Sequence, residues 1–225
     1  MEFESIAIRV LVLVFSVVVH ENAHGWVAKR LGDPTAHDLG RITMNPIPHI
    51  DPIGSIVVPI VLTLFGSMPF GWAKPVPVNP GRLNDPNNDY PKVAAAGPLS
   101  NLILAVFFAI GLGAAVGLGS GSGGGPSPTR FFITLCQTGV LLNVVLAMFN
   151  LIPIPPLDGS WILSRYLPRE ARAQYENLRR YGMLIVFGLI MLMNRTPFGN
   201  VVDAGLKAVL SPYFDLAKNV ANALS

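Results

Sequence analysis

Long apolar stretches alternate with short polar segments along the 225-residue chain. A run of about 18 or more apolar residues with few charges is typical of a helix that spans a membrane. The pattern therefore predicts an all-α polytopic membrane protein with about four transmembrane helices. The five apolar runs are residues 6–31, 53–70, 93–118, 131–152 and 181–193.

The second run, residues 53–70, differs from the others because proline and glycine interrupt it. Pro52 precedes the run, and Pro59 and Gly66 lie inside it. Both residue types weaken or break a helix. We predict that this run re-enters the membrane or forms a shallow hairpin instead of crossing.

Composition predicts the structure of the remaining segments. Residues 72–91 contain PVPVNP and DPNNDYP and predict an irregular loop, while residues 120–128, SGSGGGPSP, predict a flexible connector. Residues 198–225 mix apolar residues with four charges and are interrupted at Ser211-Pro212. We predict a pair of amphipathic helices at the membrane interface there. The whole chain, residues 1–225, is predicted as one domain, with a core over 6–163 and a C-terminal helical extension over 164–225.

Composition also excludes several classes of protein. Hydrophobic residues make up 51% of the chain and charged residues 13%, against about 25% charged in soluble domains. The net charge of +3 comes from Lys and Arg in short loops beside apolar runs, which indicates membrane topology and not nucleic-acid binding. A single cysteine, Cys136, excludes a disulfide within the chain and a cysteine metal cluster.

The first apolar run contains a candidate catalytic motif, His20-Glu21-Asn22-Ala23-His24. Two histidines four residues apart on a helix project from one face and can reach one metal ion. Glu21 lies about 100° around the helix from His20, beside the metal, where its carboxylate can accept a proton from a water. Polar side chains inside an apolar helix are costly unless they are paired or metal-bound, so the motif predicts zinc-dependent hydrolysis.

A catalytic zinc site commonly uses three protein ligands, so the sequence must supply one more. Asp158 stands out because prolines end the preceding apolar run, and Gly159 allows the chain to turn. His49 and Asp51 could make secondary contacts, and for Asp33, His37 and Asp38 a solvated or turn-forming role is favoured over a ligand role. The candidates are Asp33, His37, Asp38, His49, Asp51 and Asp158.

Asn150 lies at the end of an apolar run, eight residues before Asp158. A polar side chain there needs a hydrogen-bond partner. Two interpretations remain open at this stage. It either bonds neighbouring helices or donates to the scissile carbonyl of a substrate.

HENAH in an apolar helix, AAAGPLSN at the start of a later one, and FNLIPIPPLDG after that occur in this order over residues 12–163. Together they resemble the site-2 protease family of intramembrane metalloproteases. The resemblance implies that His20, His24 and Asp158 bind one zinc ion, that Glu21 activates water and that Asn150 contacts the cleaved strand. It also implies membrane-anchored protein substrates cut within or beside their transmembrane segments.

Charge predicts the orientation, because Lys and Arg collect in cytoplasmic loops. Acidic residues precede the first helix and basic residues follow it, so its C-terminal end is predicted to be cytoplasmic. Asp158 must reach the same end as the histidines, which requires one intervening run not to cross. We predict an integral protein of the cell membrane with its active site below the cytoplasmic surface. The basic residues on the predicted cytoplasmic side follow the first helix or Asp158, and they are Lys29, Arg30, Arg41, Arg165, Arg169, Arg172, Arg179 and Arg180.

The main alternative is a metal-ion or proton transporter, since His, Asp and Glu inside a membrane also mark ion pathways. A transporter accounts for the buried polar residues. It gives no reason for Glu21 to stand between two metal ligands. The sequence therefore favours the protease.

Overall fold

The computed structural model describes residues 2–58, 60, 64, 71–119, 127–195 and 198–225, and these contain helices and loops but no β-strand. The predicted all-α class is confirmed. Short 3-10 turns occur at Ile47–His49, Pro80–Arg82 and Leu178–Tyr181, and a π-helical stretch at Pro52–Val57. The α-helices are α1 (Glu2–Arg30), α2 (Thr35–Asp38), α3 (Pro86–Gly119), α4 (Ser127–Asn150), α5 (Asp158–Ser164), α6 (Arg169–Asn177), α7 (Gly182–Arg195) and α8 (Phe198–Leu224).

Three of the described helices are long and apolar enough to cross a membrane, namely α1, α3 and α4. The fourth predicted span, residues 181–193, corresponds mainly to α7, which has 14 residues. At 1.5 Å per residue it is about 21 Å long, shorter than the roughly 30 Å of a bilayer core. Three of the four predicted spans therefore have the length of a crossing helix.

Large apolar side chains remain exposed along all three long helices. Water would disfavour such a surface, whereas lipid tails accommodate it. Together with the length of the helices, this surface identifies an integral membrane protein. The exposed residues include Val10, Leu11 and Val14 on α1, Ile103, Phe107 and Ile110 on α3, and Leu141 and Val145 on α4.

The C-terminal region is one continuous helix, α8, and the break predicted at Ser211-Pro212 is wrong. Proline removes one backbone hydrogen bond, but extensive packing against α3 holds the helix together. The paired positions advance in the same direction, from Gly113 and Ala217 to Gly117 and Ala221, so α8 runs parallel to α3. The predicted interfacial helix pair is replaced by a single helix aligned with a membrane span.

Helix α3 begins at Pro86, so the irregular loop predicted up to residue 91 ends at residue 85, six residues earlier than expected. Asp85 and Asp89 cap the helix, because the backbone N–H of Asp85 donates to the Asp89 carboxylate and that of Asp89 to the Asp85 carbonyl. Pro86 at the first helical position loses no hydrogen bond there. Local capping thus outweighs the proline content of the segment.

Two predictions lie largely outside the described residues. In residues 53–70, the π-helical stretch Pro52–Val57 is described, together with positions 58, 60 and 64. The predicted re-entrant course past that point lies outside the described part. Of the predicted connector, residues 120–126 also lie outside it, and residues 127 and 128 begin α4.

Candidate metal centre and active site

Three side chains from distant parts of the chain meet at one point. His20 and His24 are one turn apart on α1, and Asp158 is the first residue of α5. One ligand atom from each lies within 4.8 Å of the other two. Among the residues that the structure describes, this is the group of His, Cys, Asp and Glu side chains arranged to hold a metal ion.

The distances between these atoms match a zinc site. The two Nε2 atoms are 3.0 Å apart, His20 Nε2 is 3.2 Å from Asp158 Oδ2, and His24 Nε2 is 3.5 Å from Asp158 Oδ1. Ligands bound at 2.0–2.2 Å in a tetrahedral zinc site are about 3.4 Å apart. The three atoms therefore form one face of such a tetrahedron.

The hydrogen bonds on the outer side of each imidazole determine which nitrogen faces the centre. His24 Nδ1 lies 2.7 Å from the carbonyl oxygen of Val93, which can only accept, so Nδ1 carries the proton. His20 Nδ1 lies 2.7 Å from Asn101 Oδ1. With neutral imidazoles, both Nε2 atoms then present lone pairs to each other and to the Asp158 carboxylate, an arrangement suited to binding a metal cation.

A buried chain of amides orients Asn101 towards His20. Asn101 Nδ2 donates to Asn143 Oδ1 at 2.9 Å, and Asn143 Nδ2 donates to the carbonyl of Gly139 and the hydroxyl of Ser16. Because a carbonyl cannot donate, each amide has one allowed orientation, and Asn101 Oδ1 is left to accept from His20. Hydrogen bonds to the outer nitrogen of a ligating histidine orient the ring in other zinc sites as well.

The sequence analysis did not predict this chain of hydrogen-bonded amides, although polar residues within apolar helices indicated it. Asn101, Asn143 and Ser16 are fully buried polar residues within the apolar helices α3, α4 and α1. Such side chains must find partners in a membrane. Polar residues inside the predicted spans could therefore have been proposed as hydrogen-bond partners of the histidines.

Gly97 of α3 leaves room for the ion. A Cβ atom built at this position would stand 2.5 Å from His20 Nε2 and closer still to His24 Nε2. That is the space towards which both lone pairs point. Because Gly97 has no side chain, a space remains between its Cα and the two histidine Nε2 atoms. We call this space the cradle, and a metal ion can occupy it where a methyl group would collide.

Gly159 places Asp158 by close packing and not by a sharp turn, which corrects the sequence interpretation. Its φ is not positive, whereas Gly32 and Gly40 have positive values. A Cβ at position 159 would collide with the backbone carbonyl groups of Leu151 and Ile152. The start of α5 can therefore lie against the end of α4, which brings Asp158 to the histidines.

Glu21 projects from α1 beside the cluster and is half-buried. Its Oε2 accepts a hydrogen bond of 2.7 Å from the backbone N–H of Val76. Val76 belongs to residues 71–79, a segment outside the helices that follows the second apolar run. Sequence reasoning assigned no role to this segment.

Asn150 makes its described hydrogen bond within its own helix, where Nδ2 donates to the carbonyl of Leu146 at 2.9 Å. The side chain is half-buried at the end of α4. It therefore does not take part in the cluster of His20, His24 and Asp158. Contact with a substrate stays a prediction.

Three of the other ligand candidates follow α1, with Asp33 in the connecting loop and His37 and Asp38 on α2, and none of them joins the cluster. Asp33 is buried and accepts from the backbone N–H of Thr35 and of Asn79. Burial alone would raise the pKa of Asp33, but a hydrogen bond from the Thr35 hydroxyl, together with these two backbone donors, outweighs it and lowers the pKa below its usual value. His37 and Asp38 form an exposed pair, with Nδ1 and Oδ1 3.3 Å apart.

His49 and Asp51 organise the next loop. His49 is buried and its Nε2 lies 3.1 Å from the carbonyl of Thr43. Asp51 caps the π-helical stretch by accepting from the N–H groups of Ile53 and Gly54. Both side chains are thus occupied in loop structure, and Asp158 is the candidate that the fold brings to the histidines.

Comparison with known proteins agrees with this site. The profile of peptidase family M50 matches residues 116–193, which include Asp158 but not the histidines. The Bacillus subtilis protein named "putative zinc metalloprotease YwhC" is 38% identical over 208 residues, covering 89% of this chain and 88% of the relative. No solved structure matches the chain.

Two further relatives carry names of the same kind. The Mycolicibacterium smegmatis protein "putative zinc metalloprotease Rip2" is 28% identical over 79% of this chain and 64% of the relative. The Methanocaldococcus jannaschii protein "putative zinc metalloprotease MJ0611" is 38% identical over 32% of each chain.

The helical membrane fold, the cluster of His20, His24 and Asp158 and these relatives define a zinc metalloendopeptidase of the membrane. The chain belongs to peptidase family M50, the site-2 protease family. All three relatives are named as zinc metalloproteases, which gives no support to the alternative of a transporter.

Proposed function

We propose that the protein hydrolyses peptide bonds within or beside the transmembrane segments of membrane-anchored proteins. The observation that carries this proposal is the position of the cluster. His20 and His24 lie on α1, one of the three helices able to cross a membrane, and both are buried. A hydrolytic centre on a membrane-spanning helix is positioned to meet protein chains that are themselves in the membrane.

In this proposal His20 and His24 hold one zinc ion through Nε2, and Asp158 holds it through its carboxylate. When bound, zinc lowers the pKa of a water towards about 7 and polarises a carbonyl group. The lone pairs on both Nε2 atoms, the facing carboxylate and the cradle at Gly97 support this ligand set.

Glu21 is the proposed general base. Its carboxylate lies one residue from His20, outside the ligand set, and one of its oxygens is held by Val76. Glu21 takes a proton from the attacking water and passes it to the nitrogen of the departing amine. General acid and base catalysis of this kind contributes about 10²- to 10⁴-fold to a rate.

Asn150 is the proposed substrate contact. It lies at the end of α4, shortly before the turn that positions Asp158. Its Nδ2 has a second hydrogen, which an extended substrate strand could accept through a backbone carbonyl. Replacement of Asn150 by Ala is expected to raise KM more than it lowers kcat.

We also propose that the protein lies in the cell membrane and that its active site faces the cytoplasmic side. The start of α3 and the end of α1 pack together through Val93 and Ala28, so these helices are antiparallel. With α1, α3 and α4 crossing, the end of α4 reaches the same face as the end of α1. Arginines follow at that face, in agreement with the positive-inside rule.

The decisive experiment uses Glu21→Gln, which keeps a side chain of the same shape without its charge. The variant is expected to retain one zinc per chain, as measured by elemental analysis. It should also hold uncleaved membrane proteins at the site, where a photo-crosslinker captures them. Each captured protein is then reconstituted with the unmodified enzyme. Cleavage near the membrane-spanning segment, slowed when that segment is given stronger helix formers, supports the proposal. Captured proteins that stay intact, or equal cleavage by Glu21→Gln, contradict it.

A further inference from the structure

An extended segment holds the catalytic carboxylate from outside the helix that carries it. We call residues 72–79 the strut. Three alternate residues of the strut donate their backbone N–H to one side, as expected for an extended chain. The bonds run from Trp72 to the Gly54 carbonyl at 3.2 Å, from Lys74 to the His49 carbonyl at 2.9 Å and from Val76 to Glu21 Oε2 at 2.7 Å.

The strut is anchored on both sides of Val76. At its C-terminal end, the N–H of Asn79 donates to Asp33 Oδ2 at 2.6 Å. On the other side, Arg41 Nη2 donates to the carbonyls of Lys74 and Pro75. The position of the Val76 amide is therefore determined by contacts that do not involve Glu21.

The sequence stiffens the strut at the point where it meets Glu21. Val76 stands between Pro75 and Pro77. Each proline has a restricted φ and no N–H, and the residue before a proline is held in an extended conformation. Val76 therefore supplies the one N–H of this tripeptide, in a backbone with little freedom, and its side chain is buried.

The Val76 N–H differs from the other donors of the strut because its acceptor is a side-chain carboxylate. Trp72 and Lys74 donate to backbone carbonyls, whereas Val76 donates to a carboxylate of the HENAH motif. A bond to a charged acceptor is shorter and stronger than a bond between neutral groups. It engages one carboxylate oxygen and leaves the other to receive a proton.

We propose that the backbone N–H of Val76 is a positioning group for Glu21, held in place by Pro75 and Pro77. This inference rests on the proposed role of Glu21 in proton transfer. The strut keeps the carboxylate beside the cluster before a substrate arrives. Loss of the N–H should therefore lower kcat more than it changes KM.

A first test measures the contact without any substrate or activity. Hydrogen exchange of the Val76 and Asn79 amides is followed by NMR in the full-length protein labelled with ¹⁵N. Glu21→Ala is expected to speed exchange at Val76 by about 10- to 100-fold, the effect of losing a bond to a charged group. Exchange at Asn79 should stay unchanged. Asp33→Ala is the matched control and should free Asn79 while Val76 stays protected.

A second test compares substitutions in the strut by steady-state cleavage of a protein captured by Glu21→Gln. Val76→Pro removes the N–H and keeps an extended backbone, and kcat should fall about 10- to 100-fold with KM within twofold. Val76→Ala restores the N–H and should rescue most of that loss. Val78→Pro is the control for an added proline, because the Val78 amide has no hydrogen-bond partner among the described residues.

The results separate this inference from the proposed function. If the unmodified enzyme cleaves and Val76→Pro cleaves equally fast, the positioning role is wrong while the protease stands. If the unmodified enzyme cuts no captured protein, the proposed function fails, and the exchange measurement still decides the contact. Equal Val76 exchange in the unmodified protein and in Glu21→Ala overturns the inference even when Val76→Pro does not fold.

Discussion

The cradle at Gly97 makes a sharp prediction about metal binding. Gly97→Ala adds one methyl group to α3 at the point where both histidine Nε2 atoms converge. The substitution changes neither charge nor hydrogen bonding, and alanine favours a helix more than glycine does. Any loss of zinc must therefore come from the space that the methyl group fills.

The magnitude follows from the distances. The added Cβ would stand 2.5 Å from His20 Nε2 and 2.6 Å from His20 Cε1, while optimal contacts between such atoms need about 3.5 Å or more. The imidazoles must move by about 1 Å, half the length of a zinc–nitrogen bond. Changes to groups that only hydrogen-bond the ligands already cost about 10- to 100-fold in affinity. We expect at least about 100-fold weaker zinc binding, or about 2.7 kcal/mol.

The assay is competition with a zinc chelator on the purified protein in detergent, with zinc per chain measured by elemental analysis. Gly205→Ala on α8 is the matched control, because a Cβ there meets nothing within 4 Å. Thermal unfolding of the zinc-free variants separates general damage to packing from loss of the metal. Unchanged zinc affinity in Gly97→Ala would refute the assignment of this space to the ion.

Two further predictions concern the surroundings of the site. Asn143→Leu removes the amide that orients Asn101, without touching a histidine, and should weaken zinc binding by about 10-fold in the same chelator assay; unchanged affinity would contradict the proposed amide chain. Gly113→Ala places a Cβ against the backbone carbonyl of Ala217 and should lower stability by about 1–3 kcal/mol. Thermal unfolding should show this loss in Gly113→Ala but not in Gly205→Ala, and equal stability would contradict the close packing of α3 and α8.

Helices and their membrane character could be predicted because both depend on local pattern. Apolar runs long enough to cross a bilayer indicate α1, α3 and α4 directly. The approach of His20 to His24 is equally local, since residues four apart share one face of any helix. Prediction was wrong where local features compete, at the cap of α3 and at Pro212 inside α8.

The third member of the cluster could not be derived from local pattern. Six side chains had suitable chemistry. The prolines before Asp158 and Gly159 after it favoured this residue, and the resemblance to site-2 proteases then implied it as the third ligand. In the structure Asp158 reaches the histidines because Gly159 lets α5 pack against the end of α4. The other candidates make their hydrogen bonds within the loops after α1, apart from Asp33, which also accepts from the distant Asn79.

By itself the sequence determined an all-helical membrane protein, with two histidines on one face of a helix and a glutamate beside them. It did so because hydrophobic burial and helical periodicity act over a few turns of one helix. The tertiary structure alone decided which groups surround that pair: Gly97 beside the lone pairs, Asn101 and Asn143 behind His20, and Val76 on Glu21. These contacts join residues far apart in the chain, and their distances exist only once α1, α3, α4 and the strut have packed together.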